Sequence, residues 1–206
     1  LGRNTRGFIA VDLDARELVY FKDTWISSSN RCPSEITTYR RLAEAGVPFL
    51  PDFTYGGAVP FREQGYYFDG SVTKIQERVH QRMVFKKIGR PIFTFHSTRE
   101  LVTVLYHALQ AHDAAVQRAR ILHRDISDNN IMIDKDGNGM LIDWDLCSWL
   151  DAKHSELQRR SITGTWSFMS VAVMEGRIEP HIHNVRDDIE AIVNLLVYYA
   201  LRHRPN

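Results

Sequence analysis

The sequence predicts an α+β fold in two parts, a β-rich antiparallel N-terminal part and a mainly helical C-terminal part, and three observations point to it. Near the start, two β-rich runs, FIAV and ELVYFK, flank an Asp-rich turn at Asp12–Arg16, the pattern of a hairpin. Gly89 and Pro91 then punctuate the chain just after the strand-like run MVFKKI. Beyond them Leu101, Val104, Leu105, Ala108, Leu109, His112 and Val116 recur at spacings of three and four, the clearest amphipathic helix in the chain. The expected division is residues 1–88 and 89–206.

Each element has its own signal. A helix is expected from about Pro33, with Ile36, Tyr39 and Leu42 on one face, stopping at Gly46 where a left-handed residue usually ends a helix. VPFLP then breaks the helical period. Residues 52–80 are aromatic and contain glycines, and Tyr66–Phe68 is the one strand candidate there; Met83–Ile88 reads as a strand. Ser97 and Glu100 have capping-box spacing ahead of the amphipathic helix. Farther on, IMID and MLID bracket Lys135–Gly139 as a hairpin with an Asp-Gly turn. From Asp188 to Leu201 the chain is apolar on every side, with Asn194 the one strongly polar residue after Glu190. Such a helix is expected to be buried all round, and with only five residues after Leu201 its cover is expected to come from further helices or a partner outside this chain, which would otherwise expose apolar surface.

Composition narrows the function classes. With 206 residues, 44% of them hydrophobic, the chain is long enough to bury a substantial core. Lys plus Arg (26) almost balance Asp plus Glu (25), so a net charge of +1 offers no field for a nucleic-acid backbone, and no nucleic-acid partner is expected. No stretch approaches the ~20 apolar residues of a bilayer span, so no membrane is expected either. Cys32 and Cys147 form neither a metal spacing nor a disulfide framework, and the chain opens without a signal-like segment. An intracellular setting, cytoplasm or nucleus, is the expectation.

The chemistry concentrates on either side of the 131–142 hairpin. Taken singly, His123-Arg124-Asp125-Ile126-Ser127-Asp128-Asn129-Asn130 could be a turn, because Asp, Asn and Ser bond their own backbone in loops. A second acidic cluster, Asp143-Trp144-Asp145, lies at the far end of the hairpin, and an antiparallel hairpin brings its two ends together. Asn130 and Asp143 can therefore converge, and two hard oxygen donors suit Mg²⁺, which keeps several waters and is completed by phosphate oxygens. Asp125, five residues before Asn130, can then reach a hydroxyl attacking a phosphoryl group.

HRDISDNN followed by LIDWD resembles the catalytic loop and metal-binding motif of the eukaryotic protein-kinase superfamily. More narrowly, ILHRDIS, LIDWDL and GTWSFMS, in this order, resemble the fungal-type protein kinases. The resemblance implies a two-lobed kinase-like fold, with an ATP-binding N-terminal lobe holding one main helix and a mainly helical, incomplete C-terminal catalytic lobe. It implies ATP and Mg²⁺ as cofactors and a protein hydroxyl, Ser or Thr, as acceptor. Under it Lys22, closing VYFK, grips the α- and β-phosphates with Glu35 as its ion-pair partner. Asp125 becomes the base or orienter of the acceptor hydroxyl, His123 and Arg124 support the loop, and Asn130 and Asp143 hold Mg²⁺. Gly164–Ser170 resembles the end of an activation segment, with Ser161 or Thr163 as candidate phosphorylation sites that Arg124 would receive. Asp188 matches the acidic residue that ties the catalytic-loop backbone to the buried helix.

Several positions depart from the family pattern. Gly2 and Gly7 take the outer places of the glycine loop, but Asn4 fills the middle one. Trp144 and Asp145 replace Phe and Gly after the metal-binding Asp, which stiffens that hinge. Ser127 and Ala172 stand where the family more often carries Lys and Glu. DWD also resembles small-molecule kinases of the aminoglycoside and choline type, and Asn4 with Ala172 keeps open a third reading, a pseudokinase that serves as an interaction module.

Overall fold

A computed structural model describes residues 5–27, 34–60, 78–151, 164–176 and 181–203. Asp12 closes the first hairpin with its own side chain, Oδ1 accepting from the backbone N–H groups of Asp14 and Ala15. The strands it joins, β1 (Thr5–Asp12) and β2 (Glu17–Ser27), pair antiparallel and extend beyond the runs that first marked them. Two more strands, β3 (Phe53–Ala58) and β4 (Arg78–Phe85), complete an all-antiparallel sheet in the order β1-β2-β4-β3. Since strand side chains alternate, Tyr20, Lys22 and Thr24 share one face of β2.

Sequence periodicity misses β3, an edge strand with two glycines and a register irregularity between Phe53 and Tyr55. It also misplaces β4, which begins at Arg78 and ends at Phe85, not at Ile88, because the chain leaves the sheet there for a short strand, β5 (Arg90–Pro91). Tyr66–Phe68 lies outside the described residues, as do Gly2, Asn4, Cys32, Ser161 and Thr163.

The first helix, α1 (Glu35–Glu44), starts at Ser34, whose hydroxyl accepts from Thr37 N–H. Ile36, Tyr39 and Leu42 are buried as expected, and Gly46 takes the left-handed conformation after the last turn. Ser97 caps α2 (Thr98–Ala114) by accepting from Glu100 N–H, but the box is not reciprocal. Glu100 turns instead to His96 N–H and to Arg90.

A π-helical turn prolongs α2 to Ala119, and Arg120 ends it with φ 57°. The short strands β6 (Ile121–Leu122) and β9 (Ser148–Trp149) pair with each other, while β7 (Ile131–Ile133) and β8 (Gly139–Leu141) form the expected hairpin. A short α3 (Val171–Glu175) precedes α4 (Val185–Arg202), which begins with a full capping box between Asn184 and Asp187.

One apolar core runs from Ile36, Leu42, Met83 and Phe85 through Ile92, Leu105, Ile131, Leu141 and Trp144 to Leu195 and Tyr199. Elements on both sides of position 88 therefore share buried surface. Helix α4 buries Ala191, Ile192, Leu195 and Tyr199, whereas Val193 is 50% and Leu201 56% exposed. Among the described residues α2 and the turn at Trp166–Phe168 pack against it, while Ile189, Val193 and Val197, spaced four apart, are exposed.

Candidate active site

Lys22 is buried in the middle of β2, and its ammonium lies 2.7 Å from both oxygens of Glu35 at the start of α1. The same ammonium bonds Asp143 Oδ1, also at 2.7 Å. Three charged residues far apart in sequence thus meet at one nitrogen. Burial alone would depress the Lys22 pKa, but the two carboxylates outweigh it and hold the ammonium charged above its ordinary range. Glu35 is pushed up to about 7, by burial first and then by the Asp143 carboxylate, against the pull of Lys22.

Asp143 reaches this point because of the β7–β8 hairpin. Ile142 N–H donates to the Asn130 carbonyl at 2.9 Å, which sets the residues flanking the hairpin side by side. Asp143 is left-handed, φ 63°, an uncommon state for a residue with a side chain. It is held there by Tyr39, whose hydroxyl accepts its N–H at 3.2 Å, and by Trp144, fully buried against His123 with ring centroids 4.5 Å apart. Trp144 Nε1 donates to the Leu141 carbonyl, so the residue after the Asp is a fixed plug in the core.

The 123–130 loop is organised from below by Asp188. Its carboxylate accepts from His123 N–H and Arg124 N–H, both at 3.1 Å, and from His112 Nε2 and His183 Nε2. Burial would raise the Asp188 pKa, yet the two imidazoles outweigh it and hold the carboxyl far below its usual range. His123 is buried, and desolvation keeps its pKa below the ordinary value despite the Asp188 charge. As a neutral ring it accepts Asp125 N–H at Nδ1 and donates from Nε2 to the Ile142 carbonyl, linking the loop to the hairpin. Arg124 has φ 71° and donates to the Leu146 carbonyl at 3.4 Å.

Asp125 is 3% exposed, and both of its oxygens are engaged. Oδ2 accepts from Asn130 Nδ2 at 3.1 Å; Oδ1 accepts from Thr165 N–H at 2.9 Å and from the Thr165 hydroxyl at 3.0 Å. Asn130 Nδ2 also donates to the Asp125 carbonyl at 2.7 Å. With its nitrogen committed twice, the Asn130 amide has its oxygen, an acceptor, as the atom it can offer a cation. No group of three or more His, Cys, Asp or Glu side chains among the described residues is arranged to hold a metal ion unaided. One carboxylate and one amide oxygen nevertheless fit Mg²⁺ completed by waters and phosphate oxygens.

These groups line a cavity of about 450 Å³. Lys22, Glu35, Asp143, Asn130, Asp125 and Thr165 are among its polar lining, and Ile9, Tyr20, Phe85, Ile88, Met132 and Met140 among its apolar and aromatic lining. The structure brings together every sequence-selected residue it describes except three. His123 and Arg124, at the start of the loop, do not line the cavity, and Gly7 sits in β1 opposite Lys22, where the Tyr20 phenol forms the lining in its place.

Sequence reasoning missed Thr165, Tyr39 and Tyr20. Tyr20 could have been found from strand alternation with Lys22, whereas the approach of Thr165 to Asp125 has no local signal. It also missed what fastens the 164–176 segment. The Ser170 hydroxyl bonds Asp187, Glu190 accepts Val171 N–H, and Asn194 donates to the Phe168 and Met169 carbonyls. These contacts supply an anchor that Ala172 cannot.

No curated protein matched the chain in comparison. A family model described as fungal protein kinase matches residues 54–200, a span that contains Asp125, Asn130, Asp143, Thr165 and Asp188 and leaves Lys22 and Glu35 outside it. An antiparallel sheet followed by helices is compatible with a kinase-like fold, and the family implies phosphotransfer with ATP and, as a rule, Mg²⁺. Matched over well more than half of its length, the chain belongs to the fungal protein kinase family.

Proposed function

We propose that this chain transfers the terminal phosphoryl group of ATP to a hydroxyl of a protein acceptor, Ser or Thr, across the cavity between the β1–β4 sheet and the 123–130 loop. The observation that carries the reading is the Lys22 ammonium held at once by Glu35 and Asp143, with Asp125 and Asn130 lining the same cavity. In this reading residues 1–88 serve as an ATP-binding lobe and residues 89–206 as the catalytic lobe, with the open face of α4 the seat of further helices or of a partner.

A loose phosphoryl transition state asks the protein mainly for positioning and charge neutralisation. Lys22 supplies fixed positive charge to the α- and β-phosphates, and Glu35 fixes the direction of its ammonium. Asn130 and Asp143 hold Mg²⁺, which when bound offsets the negative charge of the phosphates. Asp125 accepts or orients the proton of the incoming hydroxyl at the oxygen that Thr165 now occupies, so acceptor binding exchanges one hydroxyl partner for another. His123 and Arg124 keep the Asp125 backbone in place through Asp188.

The test offers labelled Mg²⁺-ATP with mixed protein acceptors, and in parallel with choline-like and aminoglycoside acceptors. Transfer to protein, reduced by roughly 10²–10⁴-fold in Asp125→Asn, is the expected result. Transfer confined to the small molecules would favour the small-molecule kinase reading, and binding without transfer to any acceptor the interaction-module one.

A further inference from the structure

The first glycine of the chain that the structure describes does an unexpected job. Gly7 lies in the extended strand β1, and a Cβ placed on it would overlap the Tyr20 hydroxyl. Tyr20 stands opposite Ile9 in the β1–β2 ladder, so its ring runs diagonally along the cavity face and ends over Gly7. Gly7 in turn pairs with Lys22. The phenol oxygen is therefore set on the sheet face beside the residue whose ammonium gathers Glu35 and Asp143. It makes no hydrogen bond among the described residues, while its ring packs 6.4 Å from that of Phe85, which also lines the cavity.

The cavity is thus lined by an amphipathic side chain whose ring lies near Phe85 and whose hydroxyl lies over the strand partner of Lys22. A phosphate chain drawn to Lys22 cannot lie against the backbone of Gly7, because the phenol occupies that space. We propose that the Tyr20 hydroxyl is a phosphate-binding group of this site, donating to a nucleotide phosphate oxygen beside Lys22 where a bare glycine backbone would otherwise approach. The proposal rests on the nucleotide reading above. The electrostatic setting agrees with it: the Tyr20 pKa is raised, by burial first, with Lys22 opposing and the Asp143 and Glu35 carboxylates adding, so the phenol stays a protonated donor near those charges.

Tyr20→Phe keeps the ring and removes the donor. Thermal unfolding without ligand establishes that the variant folds, and calorimetric titration then compares Mg²⁺-ADP, adenosine and inorganic pyrophosphate on both proteins. A hydrogen bond to a charged oxygen predicts that Mg²⁺-ADP and pyrophosphate bind roughly tenfold or more weakly to the variant, with adenosine affinity unchanged. Equal ADP affinity in the two proteins would overturn the proposal while leaving the nucleotide site intact. Tighter ADP binding by Tyr20→Phe or Tyr20→Ala would also overturn it, by showing that the side chain only obstructs. If the folded wild-type chain bound none of the three probes, the nucleotide reading itself would fall.

Discussion

Burial first, and then the Asp143 carboxylate that shares the Lys22 ammonium, raise the Glu35 pKa to about 7. The consequence for stability has a definite sign. Between the ordinary carboxyl value of 4.5 and about 7 the folded chain binds more protons than the unfolded one. The contribution of Glu35 is therefore complete below pH 4.5 and is lost as pH rises through about 7. Urea midpoints measured across this range should decline for the wild type and flatten in Glu35→Gln; equal slopes would remove Glu35 as the cause. At this scale the sequence is most legible where a motif fixes the residue. Asp125, Asn130 and Asp143 sit in runs whose order carries their meaning, and the hairpin between them brings the two ends together as its antiparallel pairing requires. Tyr20 was within reach of strand alternation with Lys22, whereas Thr165 was not legible, because its contact with Asp125 joins distant segments.

Between residues and fold stands the junction of α4 with the 123–130 loop. Asp188, in the first turn of the helix, accepts two backbone N–H groups of the loop and bonds two imidazoles while 1% exposed. Its depressed pKa means that its contribution to stability is present above the ordinary value of 3.8 and is lost as pH falls below it. Asp188→Asn keeps the volume but turns an amide N–H₂ toward donors, so it should cost roughly 3–5 kcal/mol, as other broken buried pairs do. Denaturant unfolding at pH 7 checks this, and a loss under 1 kcal/mol would mean that the loop is held by other contacts. The helix itself was foreseen from its apolar run, and its start from Asn184 could have been, since Asn-x-x-Asp is a capping spacing. Strand β3 could not: two glycines and an irregular register erase the alternation by which edge strands are recognised.

Across the whole molecule, the functional groups are delivered by three separate pieces of chain to a cavity of about 450 Å³: β2 with α1, the 123–143 loop and hairpin, and the segment at Thr165. The shared core from Ile36 to Tyr199 keeps those pieces in register, and that long-range packing is the part of the architecture least visible in local sequence pattern. The account stands on the claim that this cavity binds Mg²⁺-ATP through Lys22, Asn130 and Asp143. The most direct measurement is thermal unfolding of the 206-residue chain with Mg²⁺-ATP, with ATP plus chelator and with neither, beside Asp143→Asn. Nucleotide at ~100 times its dissociation constant should stabilise the wild type by ~2.7 kcal/mol, and the gain should vanish with chelator and in the variant. A chain that unfolds cooperatively at the same temperature under all three conditions would contradict the account.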